Sequence, residues 1–106
     1  EMLNTRHGLS SIARNSPEYM RSADAYWRGP IWINMNYAAL RGLKLFYPIE
    51  GDLVYQQLRN QLMGTVCGEW ERAGYFFENY KEGVGSFSYP FNGWTSLIAL
   101  VINEEY

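Results

Sequence analysis

The longest helical pattern in the chain is DLVYQQLRNQLMGTVCGEWERAG, residues 52–74. Apolar side chains recur along it at intervals of four residues, at Leu58, Leu62, Val66 and Trp70. That interval keeps side chains near one face of an α-helix. Asp52 is a suitable N-cap, and Gly74 is a natural stop at the C-terminal end. We therefore predict an amphipathic helix of about five turns with this stripe, including Trp70, in the core.

Shorter helical patterns lie on both sides of the long one. From Ile31 onward, apolar residues recur at helical spacing until Pro48, so that helix should end near Phe46 or Tyr47. A last helix is predicted after Asn92, a suitable N-cap. Its apolar positions follow the i, i+3, i+4, i+7 pattern, at Trp94, Leu97, Ile98 and Val101.

The remaining segments are less regular. Ser16 is a plausible N-cap for a short helix over about Pro17 to Arg21, with Pro17 at its first position. Residues 76–89 mix aromatic, polar and glycine residues without a helical period, and we predict a loop there with a short extended piece at most. The expected fold is all-α, in one domain over residues 1–106, with the unusual residues concentrated in the loops.

Composition excludes several classes of partner. The net charge of −2 and a pI near 5.3 give no electrostatic footprint for nucleic acid. No apolar run approaches the ~18 residues needed to span a bilayer. Aromatic residues make up 17% of the chain, more than a core of this size requires. Tyrosine and tryptophan combine an apolar face with a polar tip, which suits them to binding surfaces.

The chain also has few residues that could bind a metal or act as a catalytic thiol. The chain has one cysteine, Cys67, and one histidine, His7, so neither a disulfide, a zinc cluster nor a Cys/His catalytic pair is expected. We predict no metal and no cofactor. The sequence opens with Glu1 rather than methionine and shows no signal peptide, and we interpret it as a piece of a longer protein.

One acidic residue lies in an unusual setting. In GYFFENY, residues 74–80, four aromatic side chains surround Glu78. A carboxylate among rings is costly unless it is hydrogen-bonded, paired or used for chemistry. A surface glutamate at a loop edge is the structural alternative. We interpret Glu69, Glu71 and Glu82 as solvated charges.

Three blocks of the sequence together resemble a known family. They are YWRGPIWINMNY (26–37), GYFFENY (74–80) and PFNGWTSL (90–97). In this order and spacing they resemble the C-terminal part of glycoside hydrolase family 63. Residues 8–11 and 16–19 are similar to the segment just upstream, so the likeness covers nearly the whole chain.

The resemblance carries implications for fold and activity. It implies part of an (α/α)6 toroid of paired helices, incomplete in this chain, that packs against the remainder of its own catalytic domain. It also implies an inverting α-glucosidase that removes the terminal glucose from a glucosylated N-glycan precursor without a cofactor. The implied location is the lumen of the endoplasmic reticulum, with any membrane anchor outside this chain.

The same resemblance assigns a catalytic role to Glu78. That residue matches the general base of the family, with Tyr80 or Asn79 able to hold its carboxylate. The family's general acid is an aspartate well upstream, and neither Asp24 nor Asp52 lies in a block that resembles its motif. We therefore expect the acid to be absent and the 106 residues alone to be inactive. Lys81 stands where the family often has aspartate, which concerns the surroundings of the base.

Six residues are candidates for substrate binding: Trp27, Arg28, Gly29, Trp32, Asn36 and Trp94. Indole faces can line a sugar pocket, and Arg28 can donate hydrogen bonds to hydroxyl groups. Asn36 shares a helix face with Trp32, which makes it a better candidate than Asn34. The alternative is that the tryptophans anchor helix starts in the core and that Arg28 is structural.

Two other functions remain open at this point. The first is another hydrolase of the same toroidal architecture, such as a trehalase-like enzyme. The second is a non-catalytic carbohydrate-binding or scaffold piece that kept its aromatic residues and lost the chemistry. The absence of the acid supports the second, although truncation explains that absence equally well.

Overall fold

Two helices that pack against each other contain most of the residues in regular secondary structure. The structure is a computed structural model and describes residues 2–21 and 25–106. Helix α1 spans Ile33–Phe46 and helix α2 spans Asp52–Ala73. Strands β1 (Asn79–Lys81) and β2 (Val84–Ser86) follow, and a 3-10 helix (Trp94–Leu97) then leads directly into α3 (Ile98–Asn103).

Helix α2 ends where the sequence predicts. Gly74 adopts φ 84°, in the left-handed region that glycine tolerates best, and its N–H donates to the carbonyl of Trp70 at 2.7 Å. The stripe is buried at Leu58, Leu62 and Val66.

The predicted burial of Trp70 is wrong, because its side chain is 45% exposed. Residues four apart drift by about 40° around the helix at each step, so the stripe has turned away from the core by its last member. Trp70 contacts Phe76 instead, with ring centroids 4.6 Å apart.

The core lies between the three helices and β1. It is formed by side chains that are almost fully buried: Ile31, Ile33, Leu40, Tyr55, Leu58, Leu62, Val66, Phe77, Tyr80, Ile98 and Val101. Burying one aliphatic side chain of this kind contributes roughly 1.5–3 kcal/mol. The architecture is therefore mostly helical, and in the described part of the chain no helix is both long and apolar enough to cross a membrane.

The all-α prediction is corrected by a small β-hairpin. Strand β1 pairs antiparallel with β2, with Asn79 opposite Ser86 and Tyr80 opposite Gly85. Glu82 and Gly83 connect the strands with φ 50° and 84°, the positive values that a tight two-residue hairpin turn requires. The segment looked like a loop because each strand has only three residues and the turn lacks the usual Asn-Gly or Asp-Gly signal.

Predicted boundaries near both ends also need correction. Pro17 to Arg21 forms turns rather than a helix, because the N–H of Met20 donates to the carbonyl of Arg28 at 2.9 Å instead of continuing a helical ladder. The last helix begins as a 3-10 turn capped by Gly93, one residue after the predicted Asn92. Gly51 is the N-cap of α2, and Asp52 is its first residue.

A backbone bridge joins the start of α1 to the hairpin. The N–H of Ile31 donates to the carbonyl of Tyr80 at 2.8 Å, and the N–H of Tyr80 donates to the carbonyl of Ile31 at 3.0 Å. This exchange places the segment from Ala25 to Trp32 beside β1. Residues that are about fifty positions apart in the chain are thereby brought together.

Glu69 fixes the other side of the hairpin to α2. Its prediction as a solvated charge is wrong, because its residue is 9% exposed. Arg72 donates to both carboxylate oxygens, at 2.8 and 2.6 Å, and the backbone N–H of Gly85 donates to Oε2 at 2.8 Å. The hydrogen bonds from Arg72 hold the pKa of Glu69 below its usual value, against the opposing effect of burial.

Replacing Glu69 by glutamine should destabilise the protein in a pH-dependent way. Because the folded-state pKa is lowered, the stabilisation exists above the unfolded-state pKa and disappears as the pH falls through the folded-state value. We expect Glu69→Gln to lose about 1–2 kcal/mol at pH 7, a figure reduced because Arg72 is largely solvated, and much less at pH 3. Thermal unfolding at both pH values measures this, with exposed Glu71→Gln as the control. An equal loss at both pH values would contradict it.

A second prediction concerns the close approach of β2 to Phe77. A Cβ at Gly85 would lie 2.0–2.5 Å from ring atoms of Phe77, which is buried. Gly85→Ala should therefore destabilise the protein by about 1–3 kcal/mol through overpacking. Gly64→Ala is the matched control, since nothing lies within 4 Å of its Cβ position on α2, and it should stabilise the helix by roughly 0.5–1 kcal/mol. Similar unfolding temperatures for the two variants would rule out the overpacking argument.

Candidate active site

Glu78 lies just before β1 and is 8% exposed. Its N–H donates to the carbonyl of Ser88 at 2.9 Å, so the pairing of the hairpin extends beyond β1 and β2. The carbonyl of Glu78 accepts a hydrogen bond from Nε1 of Trp94 at 2.8 Å. Both backbone groups of Glu78 are therefore fixed, and its side chain leaves a rigid point of the fold.

Both carboxylate oxygens of Glu78 have a donor. The hydroxyl of Tyr26 donates to Oε1 in a short hydrogen bond, and the backbone N–H of Ser88 donates to Oε2 at 3.2 Å. The bond from Tyr26 is the main cause of a lowered pKa of Glu78; burial opposes it, and the bonds from Ser88 add to it. The side chain is therefore a carboxylate anion at neutral pH.

The side chains of Tyr80 and Asn79, predicted to hold the carboxylate, form hydrogen bonds with other residues. Neighbouring residues on a strand face opposite sides, and Asn79 accepts a hydrogen bond from the hydroxyl of Ser86 at 2.5 Å. The hydroxyl of Tyr80 accepts one from the N–H of Phe77 at 3.4 Å. Lys81 pairs through its backbone with Val84 at the far end of β1.

An aromatic cluster lies on one side of Glu78, in contact with it through Tyr26 and Trp94. We define it as Tyr26, Trp32, Phe87, Phe91 and Trp94. Tyr26 meets Trp32 edge to face at 4.8 Å between ring centroids and meets Phe87 at 4.7 Å. Trp94 lies 5.7 Å from Trp32 and 4.7 Å from Phe91. Trp32 and Trp94, two of the predicted substrate residues, are thus brought together next to Glu78.

Next to Tyr26 in the chain, Trp27 and Arg28 lie toward the surface, whereas Gly29 is buried. Trp27 is 60% exposed, and the guanidinium carbon of Arg28 lies 5.7 Å from the centre of its ring. Arg28 is also 3.4 Å from the carboxylate of Glu18. Gly29 has φ 129° and is buried, and a Cβ there would come within 2.8 Å of the sulfur of Met20. The positive φ and this close contact together explain why glycine stands at this position.

Asn36 is 1% exposed and serves the fold. Its Nδ2 donates to the carbonyls of Leu9 and Trp32 at 3.0 and 2.9 Å, and its Oδ1 accepts from the N–H of Leu9 at 2.7 Å. Both amide donors are used within the chain. These contacts do not support the expected role of Asn36 in substrate binding, because the side chain ties the N-terminal segment to α1.

Sequence reasoning missed three residues that hold Glu78 or its neighbours: Tyr26, Phe87 and Ser88. Tyr26 opens the YWRGP block, so its position beside Trp27 was the available signal. Ser88 acts through its backbone N–H, and the position of a backbone donor cannot be recognised from the residue type. Phe87 adopts φ 62°, an unusual conformation for a bulky residue, and that too has no mark in the sequence.

The arrangement suits one kind of chemistry. A buried, ionised carboxylate with two fixed donors can take a proton from a water molecule held against its remaining lone pairs. Asp52, a candidate partner acid by residue type, lies exposed at the start of α2, and Asp24 lies outside the described residues. Within residues 2–21 and 25–106, no group of three metal-ligating His, Cys, Asp or Glu side chains comes together.

Comparisons with known proteins point in the same direction as the geometry. Residues 1–104 match the family described as Glycosyl hydrolase family 63 C-terminal domain. A mannosyl-oligosaccharide glucosidase of Arabidopsis thaliana is 37% identical over 112 residues, which is 94% of this chain and 13% of that protein. The Saccharomyces cerevisiae protein of the same name is 33% identical over 98% of this chain and 14% of its own length. The chain therefore spans about a seventh of these relatives.

Proposed function

We propose, since this chain belongs to glycosyl hydrolase family 63, that it is the part of an inverting α-glucosidase that carries the general base. The observation that supports the proposal most strongly is Glu78 itself. Its carboxylate is buried, ionised and held by Tyr26 and Ser88 beside the aromatic cluster. A solvated surface glutamate would need none of these contacts.

The proposed reaction requires a base that is charged at working pH. In an inverting glycosidase the base removes a proton from a water molecule, and that water attacks the anomeric carbon from the face opposite the leaving group. The lowered pKa of Glu78 keeps it in the charged form. The rings of the aromatic cluster would limit the access of bulk water to the carboxylate.

The general acid is proposed to come from the rest of the protein. Inverting enzymes hold their two carboxyl groups roughly 6.5–9.5 Å apart, which leaves space for the water. This chain would form part of an (α/α)6 toroid that places the acid opposite Glu78. The large apolar side chains at the turn between α1 and α2 support such packing, since Phe46, Ile49 and Leu53 are 75%, 84% and 82% exposed.

The proposed substrate is an oligosaccharide, and the names of the relatives make a glucosylated N-glycan the first candidate. Its terminal glucose would contact the indole rings of Trp32 and Trp94, with Trp27 and Arg28 at the outer edge. The indole N–H of Trp32 is buried and has no hydrogen-bond partner among the described residues. The proposed location is the lumen of the endoplasmic reticulum.

Glu78→Gln tests the role of the base in the full-length protein that carries this chain. The amide keeps the size of the side chain but cannot accept the proton, so we expect turnover to fall by about 10²–10⁴-fold with glycan binding largely retained. Glucose release from a glucosylated oligosaccharide measures turnover, and NMR of the first-formed glucose should show the β-anomer.

Glu82→Gln, an exposed change in the same hairpin, is the matched control and should keep normal turnover. Near-normal turnover of Glu78→Gln would overturn the assignment of the base. Hydrolysis of trehalose in place of the oligosaccharide would keep the base and replace the proposed substrate.

A further inference from the structure

We propose that Tyr26 is a positioning residue for the Glu78 carboxylate, holding one of its oxygens so that the other side of the group faces the attacking water. The proposal rests on the proposed function of Glu78 as the base and assigns a second residue to that reaction.

Tyr26 reaches Glu78 across a separation of 52 positions in the chain. The bridge between Ile31 and Tyr80 brings their two segments side by side. The hydroxyl of Tyr26 donates to Oε1 of Glu78, and the N–H of Ser88 donates to Oε2. A carboxylate has about four lone-pair positions, so two are fixed by the protein and two remain for water.

The ring of Tyr26 packs against two other aromatic rings. The ring planes of Trp32 and Phe87 are inclined to that of Tyr26 by 90° and 66°. Both pairs are edge to face, an arrangement that aromatic pairs prefer. Phe87 keeps a left-handed backbone, φ 62°, which bulky residues rarely adopt unless the surroundings impose it. The next residue, Ser88, supplies the donor to Oε2, so one strained loop orients both groups that hold the carboxylate.

The hydrogen bond also lowers the pKa of the base. Burial alone raises the pKa of Glu78, and the bond from Tyr26 is the largest effect in the opposite direction. The same bond raises the pKa of the Tyr26 hydroxyl, so the phenol keeps its proton and stays a donor. Without it, a larger share of Glu78 would be protonated and unable to accept a proton from water.

Tyr26→Phe in the full-length protein removes the hydroxyl and keeps the ring. We expect kcat to fall by roughly 10- to 100-fold with KM little changed, because the base is misplaced rather than lost. The acid limb of the kcat/KM profile should also move to higher pH, since that limb reports the base of the free enzyme. A merely structural role would not move this limb.

Tyr37→Phe is the matched control. It deletes a hydroxyl that donates to the carbonyl of Glu105 at 3.1 Å, and it should leave both kcat and the pH profile unchanged. Replacing Tyr26 by 3,5-difluorotyrosine provides a second test that preserves the fold. The more acidic phenol is a stronger donor, and it should move the acid limb to lower pH.

The outcomes separate the two proposals. If Glu78→Gln is inactive while both changes at Tyr26 leave the acid limb in place, the role of Tyr26 is wrong and the base assignment stands. If Glu78→Gln keeps its turnover, both are wrong. Opposite movements of the acid limb in Tyr26→Phe and the fluorinated protein would support both.

Discussion

The cost of removing a carboxylate from water is the constraint on which this structure depends. A buried carboxylate needs donors at both oxygens, and Glu78 obtains them from Tyr26 and Ser88, which lie on different segments. The backbone hydrogen bonds between Ile31 and Tyr80 help to hold the segment of Tyr26 beside that of Glu78. The site therefore exists only in the folded chain.

A second buried carboxylate follows the same rule on the opposite side of the hairpin. Glu69 is satisfied by Arg72 within its own helix and by the N–H of Gly85 in β2. The hairpin is thus fixed to α2 through Glu69 and to the start of α1 through Ile31. A short two-stranded sheet is marginal by itself, and these two attachments explain how it holds Glu78 in a defined place.

Two surface features support the proposed contacts with the rest of a larger domain. The turn between α1 and α2 exposes large apolar side chains, while the aromatic cluster presents its rings beside an ionised carboxylate. The first feature fits packing against further helices of a larger domain, and the second fits a sugar bound between that domain and this chain. The proposed enzyme would accordingly assemble its catalytic pair from distant parts of the sequence.

Local pattern determined the helices and the family of this protein. The spacing in residues 52–74 predicts α2, Pro48 predicts the end of α1, and the three blocks resembled the family that the comparisons then confirmed. These features depend on residues close together in the chain, where propensity and periodicity act. Only the tertiary structure decided that Glu69 is buried, that Asn36 serves the fold and that Tyr26 holds Glu78. Each of these depends on a partner far away in sequence or on a backbone N–H. Such a partner cannot be recognised from the type of the residue itself.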